Sequence, residues 1–157
     1  MTRRLVVTGL LIALSVIGSY VKFGPFSIAL DSAAGFVAAL LLGPAAGALV
    51  CFLGHLTVAG LTGFPLTPLF HLFTALAMAG VGAAGGLTAR RFGPWPAAVV
   101  MVLANGFAAP LLLSLLPNPL GAGLLAVLWL PLTLAASANA LVAVLVTLAL
   151  NRTGIRE

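Results

Sequence analysis

The sequence predicts an all-α integral membrane bundle of six transmembrane helices. Three observations carry that expectation. Of 157 residues, 62% are apolar and only 6% are charged, against about 45–50% and about 25% in soluble domains. The mean hydropathy is +1.27. Apolar runs at 5–21, 31–42, 44–62, 69–89, 96–116 and 122–150 are separated by clusters rich in Gly, Pro or Arg, and roughly 20 residues suffice to cross about 30 Å of hydrocarbon. These runs fill residues 1–157 as a single six-helix membrane domain and leave no room for a second one.

Each run has its own signature. The first follows Arg3 and Arg4; cleaving it as a signal peptide would leave five spans and break the arginine pattern described next. The second, Asp31 to Leu42, is short and crosses only with help from its neighbours or a thinner bilayer. Pro110 should interrupt the fifth run, and Pro131 should kink the last or end a first short segment, because the ring removes one helical hydrogen bond and clashes with the preceding turn. With six alternating spans, Arg3 and Arg4, Arg90 and Arg91, and Arg152 and Arg156 share one side, opposite Lys22. Basic residues stay cytoplasmic, so both termini are expected inside. The net charge of +5 thus reports topology and not nucleic-acid binding.

Ionisable and amide groups in hydrocarbon are costly, which makes them candidate functional groups. They are Asp31 with Ser32, His55, His71, Asn105 and Asn139, one set from each of five runs; the topology puts Asp31 at the outer start of its run, both histidines in the outer half of the membrane and Asn105 at roughly mid-membrane, so that the five can converge on an outward-facing pocket. Each also has a plainer role. Asp31 and Ser32 suit a helix N-cap, His55 can bond a neighbouring carbonyl, His71 can lie at the interface, and the two asparagines can join helices. Two outer connections, Lys22–Leu30 and Thr62–Pro68, are too apolar for ordinary solvated loops. They either rest on the headgroups or cap a pocket with Phe23, Phe26 and Phe64, which, with Trp129, offer faces for an aromatic ring.

Several chemistries are excluded. Glu157 is the only glutamate, so no HExxH helix with a glutamate base exists, and Asp31 cannot form an aspartyl dyad alone. No G-x-S-x-G elbow is present. The sole lysine sits in Val21-Lys22-Phe23, so there is no P-loop and the chain cannot use ATP itself. The chain is therefore expected to be no enzyme and to hold no cofactor. Asp31, His55 and His71 are permissible metal ligands without a metal-site spacing, so no metal is expected. Cys51, the single cysteine, excludes an internal disulfide. Small residues repeat at Gly9-x-x-x-Ala13, Gly43-x-x-x-Gly47 and Gly82-x-x-x-Gly86, faces that allow close helix packing within the chain or, for the first, against another protein.

The stretches Ile28-Ala29-Leu30-Asp31-Ser32-Ala33-Ala34-Gly35-Phe36, Leu42-Gly43-Pro44-Ala45-Ala46-Gly47-Ala48, Gly54-His55-Leu56 and Gly63-Phe64-Pro65-Leu66, followed by His71 and Asn139, resemble the substrate-binding S components of energy-coupling factor (ECF) vitamin transporters. Within that family they are most similar to the alpha-ribazole subfamily, which serves cobalamin biosynthesis. The resemblance covers nearly the whole chain. It implies a subunit of an ABC-type importer in the bacterial cell membrane that captures a vitamin or precursor from outside and works with a membrane coupling subunit and two cytoplasmic ATPases. It further implies that the closed pocket is carried toward the cytoplasm and that a small face on helix 1 docks the coupling subunit; here that face is Gly9 and Ala13, where the family has alanine at both positions. Metal-specific relatives begin Met-His, whereas this chain begins Met1-Thr2, which disfavours cobalt or nickel. Asp31, Ser32, His55, His71, Asn105 and Asn139 would supply donors and acceptors to a nucleoside-like ligand. Other vitamins or pyrimidine precursors, or a purely structural membrane protein, remain chemically compatible with the residues.

Overall fold

A computed structural model describes residues 2–23, 28–65, 67–118, 121 and 123–152. Helix α1 spans Thr2–Tyr20. A two-residue antiparallel pair follows, β1 (Lys22–Phe23) with β2 (Ile28–Ala29), with Lys22 opposite Ala29 and Phe23 opposite Ile28. Then come α2 (Ala33–Leu41), α3 (Pro44–Leu61) and α4 (Pro68–Phe92). The next run is α5 (Pro94–Leu103), a π-helical turn (Ala104–Ala108) and α6 (Ala109–Ser114), and α7 closes the order at Gly123–Arg152. Among the described residues, five helical stretches are long and apolar enough to cross a membrane: Arg3–Tyr20, Pro44–Leu61, Pro68–Phe92, Pro94–Ser114 and Gly123–Arg152.

The second expected span differs from its prediction. Helix α2 has nine residues, a rise of roughly 14 Å at 1.5 Å per residue, less than half the hydrocarbon thickness. Residues Ala33 through Ala39 are all buried, so α2 presents no lipid-facing stripe. It sits inside the bundle against α1, α3, α4 and α7. Phe36, Val50, Met101, Ala143 and Val144, none with any exposed surface, form the centre of the main core. Helix α1 is the opposite case: Leu5, Val6, Leu10 and Ile17 are each more than half exposed, as expected of a lipid-facing helix.

Two helix junctions share one device. Gly43 (φ 96°) and Gly93 (φ 88°) adopt positive φ, which glycine reaches without steric penalty, and each is followed by a proline that starts the next helix with its φ already set. The turn at Gly43 packs against the end of α4, where a methyl group at Gly43 would meet the Arg90 guanidinium. The predicted small faces Gly43-x-x-x-Gly47 and Gly82-x-x-x-Gly86 meet each other. A Cβ at Gly47 would lie 2.9 Å from the Gly82 carbonyl oxygen, and one at Gly86 would lie 2.6 Å from Pro44 Cα. The α3–α4 contact they permit is the most extensive in the chain.

The two prolines behave differently. Pro110 lies in the first turn of α6 and lacks the N–H that would bond the Gly106 carbonyl. Just before it the helix widens, with the Ala109 N–H reaching the Ala104 carbonyl, an i→i+5 bond characteristic of a π turn. The break expected at Pro110 is therefore a local widening. At Pro131 the expectation of a helix end is overturned: α7 runs through it for 30 residues, since a proline removes only one bond of a long helix whose neighbours hold its course.

Candidate functional site

The polar residues read from the sequence converge. A cavity of about 150 Å³ is lined by Asp31, Ser32, His55, Asn105 and Asn139, together with Ala29, Thr74, Met78, Ala109, Pro110, Leu113, Leu132 and Ala135. A void of about 10 Å³, room for one water, adjoins it between Ser15, Gly35, Val50 and Cys51 and shares Asp31, Ser32, His55 and Met78.

Local structure aims each group. Asp31 and Ser32 form the turn between β2 and α2. Ser32 occupies the N-cap position without a capping side-chain bond; its hydroxyl instead donates to Asp31 Oδ1 at 3.2 Å. The capping role open to this pair in sequence is thus not the one its hydroxyl plays. Asn105 is the second residue of the π turn and is buried. Gly106 beside it lets that turn approach α7, since a Cβ there would lie 2.6 Å from Thr133 Cα. Asn139, 1% exposed, donates from Nδ2 to the Ala29 carbonyl at 2.8 Å and to the Ala135 carbonyl at 2.7 Å, while its Oδ1 has no hydrogen-bond partner. The amide therefore ties α7 to β2.

His71 stands one shell back. His55 Nε2 and His71 Nδ1 are 3.1 Å apart, so one neutral imidazole donates to the other. His71 Nε2 is buried without a partner. Phe64, whose backbone takes φ 50°, sets its ring centroid 5.8 Å from that of His71, and Phe70 packs edge-on to the same imidazole at 6.3 Å. Phe64 therefore braces His71 and does not itself line the cavity. Trp129, expected as a stacking face, is 45% exposed and away from the cavity, because its position on α7 faces outward while Leu132, Ala135 and Asn139 face in. Phe26 and the side chain of Phe23 lie outside the described residues. Gly9 and Ala13 are both exposed on α1. Sequence reasoning missed Thr74, Ser15 and Met78; only the one-turn spacing of Thr74 from His71 and Phe70 hinted that α4 carries a further polar group inward.

Among the described residues, no three His, Cys, Asp or Glu side chains gather where a metal ion could be held. The site is a largely apolar cavity with hydrogen-bonding groups on several walls, the form of a small-molecule pocket. A family model, the ECF transporter substrate-specific component, matches residues 3–151. The chain belongs to that family. Neither a curated protein nor a solved structure matches it. As an ECF substrate-specific component it is a multi-pass membrane protein and a transporter subunit, not a catalyst. Its family partners are a membrane coupling subunit and ATPases, and its cargo is a small molecule.

Proposed function

We propose that the chamber captures a vitamin precursor of the nucleoside type, with alpha-ribazole as the leading ligand. The observation that carries this reading is the convergence of Asp31, Ser32, His55, Asn105 and Asn139 on one cavity whose other walls are aliphatic. Ribose hydroxyls match the polar wall, and a flat base matches the surface of Met78, Pro110, Leu113 and Leu132. The chain acts as one membrane domain in which β2 and α2 together return the chain to the end where Gly43 meets Arg90, so that both termini are cytoplasmic; it needs no cofactor of its own, and docks its coupling subunit through the Gly9 and Ala13 face of α1.

The cavity volume favours a second reading within the same class. About 150 Å³ suits a single ring, whereas drug-sized ligands occupy roughly 300–1,000 Å³. A whole nucleoside would have to widen the chamber; a pyrimidine precursor would not. Native mass spectrometry of the detergent-purified protein against alpha-ribazole, pantothenate and a hydroxymethyl-pyrimidine distinguishes the two, and Asp31→Ala and His55→Ala should each weaken retention about tenfold or more, the loss of one or two buried hydrogen bonds to a polar ligand. Retention unchanged in both variants would exclude this chamber as the binding site.

A further inference from the structure

A pair of imidazoles links the chamber to a side chain behind its wall. His55 lines both the cavity and the adjoining void, and His71 stands behind it with Nδ1 3.1 Å from His55 Nε2. At pH 8, above the ordinary histidine value of about 6.5, both rings are neutral and each carries one proton. One of those protons lies in the shared bond, so the two outer nitrogens take opposite roles. If His55 donates, His71 carries its proton on Nε2 and His55 Nδ1 is a bare acceptor. If His71 donates, its own Nε2 is bare and His55 Nδ1 carries the proton. The surroundings of His71 choose between the two. Its Nε2 is buried without a partner, and the rings of Phe64 and Phe70 have centroids 5.8 and 6.3 Å from its own; a phenyl face is at most a second-order acceptor for N–H. A buried N–H without an acceptor is rarer in folded proteins than an unused acceptor. The proton of His71 therefore belongs on Nδ1, in the shared bond.

We infer that His71 is a positioning residue that donates to His55 and so holds it in the Nδ1–H form, a hydrogen-bond donor matched to cargo with an unprotonated acceptor, such as the ring nitrogen of a heteroaromatic base. The inference rests on the reading of the chamber as a ligand site. His55 Nε2 is taken by His71, whereas Nδ1 makes no hydrogen bond and is not among the sealed unpartnered atoms. On a ring that lines the cavity, Nδ1 is thus the nitrogen left for a ligand. Without His71 the proton of His55 could sit on either nitrogen, and the ring would accept as well as donate. With His71 in place the donor is set before cargo arrives, and that preorganisation favours binding.

The chain has two histidines, so protein purified on a histidine-free tag and labelled with isotopic histidine gives two sets of ring nitrogens, assigned by either single variant. Long-range proton–nitrogen correlation spectra in detergent at pH 8, without ligand, should show both rings protonated at Nδ1 and bare at Nε2. Both rings protonated at Nε2 overturns the inference, and this reading needs no variant to fold. His71→Asn, whose side-chain amide keeps an N–H donor, should leave His55 protonated at Nδ1, whereas in His71→Leu an Nε2–H population of His55 should appear. A His55 that stays wholly Nδ1–H in His71→Leu overturns the assignment of the lock to His71. Titrated into the wild-type protein, benzimidazole, which has a bare ring nitrogen, should bind about fivefold tighter than indole, which matches it in size without one, the worth of one hydrogen bond. The gap should narrow in His71→Leu. Equal binding of the two probes overturns the donor role of His55. Binding of neither overturns the ligand-site reading, a failure that the ligand-free spectrum keeps separate from a wrong tautomer.

Discussion

Replacing Gly82 with alanine puts one methyl group into the seam between α3 and α4. That methyl would meet the Gly47 carbonyl, with the Gly47 carbonyl carbon at 2.5 Å and the Ala48 nitrogen at 2.9 Å. All three are backbone atoms, so no rotamer change relieves the contact; ordinary van der Waals separation requires the helices to part by roughly 1 Å. Overpacking of this kind costs about 1–3 kcal/mol, which outweighs the gain of up to about 1 kcal/mol in helix propensity on exchanging glycine for alanine. Gly80, two residues earlier on the same helix, has nothing within 4 Å of its Cβ position, so Gly80→Ala carries the propensity gain alone. Thermal unfolding of the purified protein, followed by circular dichroism at 222 nm, should therefore show Gly82→Ala unfolding below wild type and Gly80→Ala at or above it. If Gly82→Ala unfolds no earlier than Gly80→Ala, the α3–α4 seam is not held by this close approach and the packing argument fails.

Two further outcomes are expected. Ala13→Leu, on the exposed face of α1, should reduce co-purification with the coupling subunit several-fold while leaving ligand retention within twofold; parallel loss of both would point to misfolding. Asn139→Ala removes the donor to the Ala29 carbonyl, which costs about 1–3 kcal/mol if that carbonyl stays buried and unpaired. Hydrogen exchange at Ile28–Leu30 should accelerate relative to wild type, and unchanged exchange there would mean that the amide does not hold the strand pair in place.

Much of this arrangement was legible in the residues. A chain with so few charges exposes each buried polar group as an expense that needs a reason, and Asp31, His55, Asn105 and Asn139 stand out on that ground alone. Their shared cavity follows from alternating runs, which bring one level of several helices together. The shortness of α2 was legible in the run from Asp31 to Leu42, but its burial inside the bundle was not, because a segment apolar on every side reads the same whether it faces lipid or other helices. The outward direction of Trp129 was also hidden: without the course of α7 past Pro131, its angular position on the helix had no reference. Thr74 escaped notice because a hydroxyl that bonds its own helix is common in membrane helices and signals nothing by itself.

The widened turn at Ala104–Ala108 resets the angular phase of everything after it. Upstream, Ala97, Ala98 and Met101 point to the central core; downstream, Ala109, Pro110 and Leu113 form the chamber wall. One crossing thus serves two masters, a fixed keel below and a replaceable panel above. Substitutions on the panel can recast cargo preference while the keel keeps its alignment, whereas deleting a single residue between 104 and 108 would swing the panel toward lipid and open the chamber along its whole length.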